Sequence, residues 1–149
     1  AKGDIVVVCD VDYYYKHRSE AIVEFFKKHK YKDVFYTASH IRIKNNIIEK
    51  YINDAFEWDF KSKCPISHPT IAYRKSVAKS LKYKELSIDT DLFEFFLLDA
   101  HNRGFKFGGT QHPSMVKIEG NSNRDVSSSK DLKEKLYLEY GIAINNKDN

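Results

Sequence analysis

The sequence contains few of the residues and patterns that identify particular classes of protein. Its two cysteines, Cys9 and Cys64, are too few for a disulfide scaffold or a cysteine zinc site, so reduced thiols and a cytoplasmic location are expected. Six glycines and three prolines in 149 residues exclude collagen and a proline-rich linker. No apolar run approaches the length that spans a membrane, so no transmembrane segment is expected.

Several common catalytic motifs are also absent. The sequence holds no P-loop, no dinucleotide-binding glycine pattern, no G-x-S-x-G nucleophile elbow and no two histidines four residues apart. P-loop nucleotide hydrolysis, Rossmann-type cofactor binding, serine hydrolysis and H-E-x-x-H zinc chemistry therefore lack their signatures.

Charge is only mildly unbalanced, with 25 basic and 21 acidic residues and a net charge of +4. The densest basic run holds Lys27, Lys28, Lys30 and Lys32. Lysines suit the dipole at a helix C-terminus, so we interpret this run as a solvated helix end. A patch for nucleic acid or anionic lipid is the alternative. Because arginines and aromatic residues do not interleave there, no nucleic-acid partner is expected.

Apolar patterns alternate between strands and helices, which predicts one α/β domain over residues 1–149. The predicted strands are 5–9, buried on both faces with Cys9 in the core, then 34–37, 71–73, 105–107 and 115–118. The predicted helices are 19–29, capped by Ser19, then 76–81, 89 or 90 to 102 with Gly104 as its stop, and 129–140 with Gly141 as its stop. Residues 41–53 are ambiguous between strand and helix, and residues 120–129 read as a polar loop.

An acidic pair, Asp10 and Asp12, follows the first predicted strand. In open α/β sheets, ligands bind beyond the carboxyl ends of the strands. Two carboxylates there can share a hard cation such as Mg2+ or Mn2+, with phosphate oxygens completing its coordination. The alternative is that both aspartates only cap a turn or the following helix.

A second acidic pair, Asp89 and Asp91, stands at the start of the most apolar predicted helix. One carboxylate can cap this helix, or it can serve as a general base held at the helix N-terminus. His68 lies in the loop before a predicted strand, and His112 lies in a later loop. Loop histidines of this kind are commonly exposed and inert.

Several segments occur in the order of the motifs of one known family. They are AKGDI at 1–5 with CDVDYYY at 9–15, a helix and strand at 20–36, SHPTIAYRKS at 67–76, DTDL at 89–92, and GNS at 120–122 before a helix ending in YG at 140–141. In this order they resemble family 2 glycosyltransferases with the GT-A fold. The resemblance covers nearly the whole chain.

The resemblance implies a partial GT-A-like sheet flanked by helices. It also implies inverting, metal-dependent transfer of a sugar from a nucleotide-diphosphate donor to a hydroxyl of a glycan or another acceptor. Asp10 and Asp12 would match the D-x-D pair that holds Mn2+ or Mg2+ on the donor diphosphate, and Asp89 would match the catalytic base. The residues that would contribute to substrate binding are His68, Asp91 and Glu119.

Three positions depart from the family pattern. Tyr13 stands where many members have a further aspartate, and Ile88 where many have a glutamate. Glu119 falls near the place where some members carry a metal-binding histidine, and it could still ligate a cation. An altered or lost activity is therefore an open expectation. The family also places a nucleotide-binding half before the first segment. We therefore expect either a fragment of a longer enzyme or a truncated relative, incomplete or inactive alone, that forms a homo-oligomer or pairs with the missing N-terminal half.

Two hypotheses outside this family stay open. A haloacid-dehalogenase-like phosphatase also starts with a hydrophobic strand and D-x-D, with Asp10 as nucleophile and Asp12 as acid/base. Its remaining motifs would come from Thr37 or Ser39, Lys75 or Lys79, and the pair Asp89 and Asp91. The three tyrosines at 13–15 disfavour this hypothesis, because small, flexible residues are expected directly after the D-x-D motif. The other hypothesis is a non-catalytic domain that pairs with another chain through an exposed sheet edge.

Overall fold

The computed structural model describes residues 4–9, 13–43, 46–48, 58–81, 93–118 and 126–143, with the backbone alone at 41–43, 46–48, 117–118 and 126–130. The strands in these ranges are β1 Ile5–Val7, β2 Tyr13–Tyr14, β3 Val34–Thr37, β4 His40–Ile43, β5 Asn46–Ile48, β6 Ala72–Arg74, β7 Phe107–Thr110 and β8 Met115–Ile118. The helices are α1 Arg18–Lys28, α2 Lys75–Ser80, α3 Phe93–Asn102 and α4 Val126–Glu139, with a 3-10 turn at His68–Thr70. The protein is therefore mixed α/β, with small mixed sheets and flanking helices.

The first sheet has the strand order β1-β6-β3-β7. Strand β6 is antiparallel to both β1 and β3, whereas β3 and β7 are parallel. Strands β1, β3 and β7 consequently run in one direction and end on the same side of the sheet. We call that side, where Val7, Thr37 and Thr110 end their strands, the carboxyl edge. The opposite side, where these strands begin, is the amino edge.

The second sheet has the order β2-β8-β4-β5 and continues two strands of the first. Strand β4 follows β3 after two residues, and β8 follows β7 after a short turn. Backbone hydrogen bonds join the two chains of residues between the sheets. The Ala38 N–H donates to the Thr110 carbonyl at 3.2 Å, and the Ser114 N–H donates to the Ala38 carbonyl at 3.3 Å. Two long, interrupted parallel strands thus connect both sheets just beyond the carboxyl edge.

Helix α3 forms the centre of the main core. Its residues Phe95, Phe96, Leu97 and Leu98 are each no more than 2% exposed, so apolar side chains are buried all around the helix. A helix that is apolar on every side has to be covered by other elements. The strand residues Val34 and Tyr73, the segment at 58–66 and helix α4 pack in this core.

Helix α4 is fixed on α3 by polar contacts as well as by packing. The buried Tyr137 hydroxyl donates a hydrogen bond to the Glu94 carboxylate, and Lys133 Nζ lies 2.9 Å from the same carboxylate. Burial raises the pKa of the Tyr137 phenol, which keeps its proton available for this bond. Near the end of α4, Tyr140 donates to Asp99 at 2.5 Å. These pairs fix the register of α4 against α3.

The first strand differs from its prediction. Val7 is 42% exposed, Cys9 is exposed and lies beyond the strand, and Ile5 and Val6 are only half-buried. The prediction of a strand buried on both faces with Cys9 in the core is wrong. Within the described residues β1 pairs only with β6 at the end of the sheet. Ile5 packs on one core cluster and Val6 and Val8 on the other, but this end strand is covered only in part.

Other element boundaries also differ from the predicted ones. Helix α1 begins at Arg18 after His17, without a side-chain cap, so the cap predicted at Ser19 is wrong. Residues 46–48 pair with β4 as a strand instead of continuing a helix. The strand predicted at 105–107 begins only at Phe107, and the last helix begins before Ser129. The predicted helix start at Asp89 or Thr90 lies outside the described residues.

Helix α3 ends at Asn102, and Gly104 follows in the left-handed region with φ +91°. Gly141 follows α4 in the same left-handed conformation, with φ +78°. Both stops were predicted, because glycine adopts positive φ without a steric penalty. None of the helices in the described ranges has the length and apolar character needed to cross a membrane.

Candidate active site at the carboxyl edge

Among the residues predicted to act in a site, the structure describes His68. Asp10, Asp12, Asp89, Asp91 and Glu119 lie outside the described residues. The positions of chain segments next to them in sequence are nevertheless defined, since Val8 and Cys9 precede Asp10 and Phe93 follows Asp91 by two residues. The candidate site is therefore built from the contacts among these neighbouring segments.

Arg18, the first residue of α1, connects the end of β1 to the turn that contains His68. Its Nη2 atom donates to the Val8 carbonyl at 2.6 Å and to the Pro69 carbonyl at 2.9 Å. Its Nη1 atom lies 3.5 Å from Cys9 Sγ. A backbone hydrogen bond of 3.2 Å from Val8 to the Ile71 carbonyl closes the same junction. The planar guanidinium suits this task, because its fixed donors reach two carbonyls at once.

Arg18 is also unusual in its burial, at 5% exposure. Its guanidinium lies over the Tyr14 ring at 4.4 Å, and its Nε atom has no hydrogen-bond partner among the residues that the structure describes. No ion pair to Arg18 occurs within the described part of the chain. A buried cation supported by carbonyls and a π face favours carboxylates or anionic ligand groups nearby.

His68 joins the turn to helix α3. Its imidazole stacks on the Phe93 ring with centroids 4.6 Å apart and planes 7° apart. Phe93 opens the described part of α3 and is 9% exposed. The structure thus brings the segment before Asp10, the His68 turn and the segment after Asp91 into one contiguous set of contacts.

A second polar group lies beside this junction, around Tyr15. The Tyr15 hydroxyl and His40 Nδ1 are 2.6 Å apart, and the Tyr15 ring stacks on His17 with centroids 5.6 Å apart. His17 donates from Nε2 to the Pro113 carbonyl at 3.0 Å, and its ring lies 4.5 Å from that of His112. The loop histidine His112, predicted to be inert, is therefore part of a ring cluster, although its side chain is exposed.

Sequence reasoning missed Arg18 and the Tyr15 cluster. An arginine in an amphipathic helix carries no local signal of burial, and its bonds reach residues 10 and 51 positions away. The only available hint for the cluster was its composition of three histidines and a tyrosine near predicted element ends. Their proximity depends on the pairing of β2 with β8 and of β8 with β4.

The phosphatase hypothesis requires a lysine near Asp10, on the carboxyl side of β1. Lys75 instead donates its backbone N–H to the Asp4 carbonyl at 2.8 Å, at the amino end of β1. Lys79 lies one helical turn further along α2. Thr37 does end β3 at the carboxyl edge, but its hydroxyl is bonded to the Ala38 carbonyl and to Ser114. Ser39 is buried, and its hydroxyl has no hydrogen-bond partner within the described ranges. The placement of the two lysines disfavours this hypothesis.

Metal ligation was predicted for Asp10 and Asp12, which the described ranges do not include. Within those ranges, no group of three histidine, cysteine or acidic side chains could hold an ion. The predicted donors are carboxylates, and hard oxygen donors of this type suit Mn2+ or Mg2+. The metal site thus stays a prediction from the sequence.

Comparison with known proteins adds no family to this description. No protein-family model matches the chain, and a search of curated proteins found no match either.

The two cysteines are expected to differ strongly in reactivity. Cys9 is exposed, whereas burial raises the pKa of the Cys64 thiol to about 12. The ordinary pKa of a cysteine thiol is 9.0, so at a given pH below it Cys64 holds about a thousandfold less thiolate than an ordinary cysteine. The thiolate is the species that reacts. A disulfide reagent at mild alkaline pH should therefore modify one thiol rapidly and the second only after denaturation.

The variants Cys9→Ser and Cys64→Ser assign the two phases. Cys9→Ser should remove the rapid phase, and Cys64→Ser should leave it unchanged. Equal rates for both thiols in the native protein would contradict the burial of Cys64.

Proposed function

We propose that this chain is a family 2 glycosyltransferase-like domain of GT-A type that transfers a sugar, with inversion, from a nucleotide-diphosphate donor to an acceptor hydroxyl. The observation that supports it best is the meeting of the β1 end, the His68 turn and the start of α3 around Arg18 and Phe93. These are the segments that carry the D-x-D, H-P-T and D-T-D motifs in the sequence. Residues next to these motifs, separate in sequence, contact one another beside the carboxyl edge. Ligands of open α/β sheets bind at this edge.

In this proposal Asp10 and Asp12 hold Mn2+ or Mg2+ against the donor diphosphate. The ion would offset the negative charge that builds up on the departing nucleotide. Asp89 accepts the proton of the acceptor hydroxyl as that oxygen attacks the anomeric carbon. Inversion requires one such carboxylate on the face opposite the leaving group.

The remaining residues position these groups. His68, Asp91 and Glu119 are assigned to substrate binding. Arg18 keeps the end of β1 beside the His68 turn, so the relative position of the donor-binding and acceptor-side segments depends on it. Stacking on Phe93 restricts the His68 ring to one orientation.

Calorimetric titration with Mn2+ and a nucleoside diphosphate, UDP or GDP, tests the proposal. The chain, alone or with the N-terminal half that the resemblance implies, should bind the nucleotide in the presence of Mn2+, and Asp12→Ala should abolish that binding. Asp131→Ala is the matched control, because Asp131 is an exposed aspartate on α4 and should leave binding unchanged.

Two results would contradict the proposal. One is the absence of Mn2+-dependent nucleotide binding even with the N-terminal half that the resemblance implies supplied, and the other is equal binding by wild type and Asp12→Ala. Release of phosphate from p-nitrophenyl phosphate that is lost in Asp10→Asn would favour the phosphatase hypothesis instead.

A further inference from the structure

A basic patch lies at the amino edge of the first sheet, on the side opposite the candidate site. Its lysines come from the end of α1, from the loop that follows and from the residue before β7. They are Lys27, Lys28, Lys30, Lys32 and Lys106, and Tyr31 stands among them at 91% exposure. Lys106 belongs to the patch because its backbone pairs with Asp33, the neighbour of Lys32.

The loop that carries the patch is held in place by Arg74. Its Nε atom donates to the Lys32 carbonyl at 2.8 Å, and its Nη2 atom donates to the carbonyls of Phe26 and His29 at 3.2 Å each. Its guanidinium also lies over the Phe26 ring at 4.9 Å. Because the loop backbone is already ordered, a partner can bind the lysines without paying for loop ordering.

The charges of the patch are largely uncompensated. Asp33 is the single acidic residue in the segment 25–34, and its Oδ2 atom accepts the Lys106 backbone N–H at 2.8 Å. Within the described part of the chain, none of the patch lysines forms an ion pair. Residues 28–32 line a shallow depression of about 300 Å³. The patch is therefore a positively charged surface that also exposes the ring of Tyr31.

We propose that this patch docks the protein on an anionic lipid bilayer. Clustered lysines are attracted to the negative surface of such a bilayer, and a tyrosine ring suits the headgroup region because it is apolar with a polar tip. A nucleic acid fits less well. The exposed cations are lysines gathered in one small area instead of a track along a groove, and the guanidinium of Arg74 is used by the loop.

The topology sets the orientation of the docked protein. The patch lies where β3 and β7 begin, and the Arg18 junction lies where β1 ends in the same direction. Docking through the patch would therefore turn the carboxyl edge away from the bilayer, toward the aqueous phase. This inference is independent of the proposed transferase activity.

Sedimentation with lipid vesicles tests the docking. The chain should sediment with phosphatidylcholine vesicles that contain phosphatidylserine, should not sediment with phosphatidylcholine alone, and should dissociate as salt is raised. The triple variant Lys27→Gln, Lys28→Gln, Lys30→Gln should lower the vesicle affinity on the order of 100-fold, given the usual contribution of one lysine near an anionic surface.

A second triple variant, Lys61→Gln, Lys63→Gln, Lys135→Gln, removes the same charge from exposed lysines elsewhere. It should retain most of the vesicle binding, and circular dichroism confirms that both variants fold. Equal losses in the two triple variants, or no binding of wild type to anionic vesicles, would overturn the proposal. Tighter binding to a single-stranded oligonucleotide than to the vesicles would replace it with a nucleic-acid surface.

Discussion

Replacing Arg18 by alanine is expected to lower the free energy of unfolding by about 3 kcal/mol, because two carbonyls at the junction lose a charged donor in a buried position. The Val8 and Pro69 carbonyls accept from Nη2 at 2.6 and 2.9 Å, and alanine offers neither bond. The contact of the guanidinium with the Tyr14 ring is lost at the same time. Urea denaturation followed by circular dichroism measures the change.

Two further variants separate the fork geometry from charge and from ordinary surface effects. Arg18→Lys keeps the charge but lacks the planar fork, so it should recover only part of the loss. Arg103→Ala removes an exposed arginine with a single bond of 2.7 Å to the Ser80 carbonyl, and should cost below about 1 kcal/mol.

The location of the effect is also testable. The Val8 amide donates to the Ile71 carbonyl, so its hydrogen exchange should accelerate in Arg18→Ala more than exchange in α3. If Arg18→Ala were as stable as Arg103→Ala, Arg18 would not be what holds β1 against the His68 turn.

Elements with a strong local pattern were predictable from the sequence. The strands at 34–37 and 115–118 and helix α1 occur where periodicity placed them, within one residue. In α1 the spacing of apolar residues matches the face that the fold buries, as Ile22 and Phe26 show. The glycine stops after α3 and α4 were predictable for the same reason, because positive φ is a local property.

Features that depend on the position of an element in the sheet were not predictable. The run of apolar residues in β1 looked like a central strand, yet within the described residues it pairs with one neighbour only. Residues 46–48 matched a helical spacing, yet pairing with β4 decided their conformation. Pairing partners lie far apart in sequence, so a local pattern carries no information on them.

In the candidate site, too, local motifs were predictable and tertiary contacts were not. Its chemistry-bearing motifs, the acidic pairs and His68, were visible as sequence. The residue that connects their segments, Arg18, was not, since its acceptors come from β1 and from the turn before β6. Motifs indicate which groups can react, whereas the tertiary contacts that bring them together have no signature of their own.

Strand β7 is the clearest conflict between local preference and fold, and it leads to the second large effect. Gly108 and Gly109 are poor strand residues, which explains why the prediction ended the strand at Phe107. The structure uses both glycines in the parallel pairing with β3, opposite Phe35 and Tyr36. A β-carbon at Gly109 would lie 2.5 Å from Tyr36 Cε2 and 2.7 Å from the Tyr36 carbonyl oxygen. Position 109 therefore needs a glycine, because Tyr36 leaves no room for a β-carbon there.

Gly109→Ala is therefore expected to cost about 3 kcal/mol of stability, at the upper end of the usual cost of overpacking. The Tyr36 carbonyl belongs to the backbone of β3, and its ring is 7% exposed, so neither can move aside easily. The shift would reach the carboxyl edge, because Thr37 and Thr110 follow the two clashing residues directly. Denaturation curves measure the loss, and the chemical shifts of Thr37 and Ser114 report the displacement.

Gly108→Ala is the matched control in the adjacent position of the same strand. Its β-carbon would meet Phe25 Cζ at 2.8 Å, which is the far end of a side chain that is only half-buried. That ring can rotate away, so the cost should stay below about 1 kcal/mol. Equal stability of the two variants would show that β3 and β7 do not approach each other as closely at Gly109 as the structure has them, and the register of the parallel pair would then have to be revised.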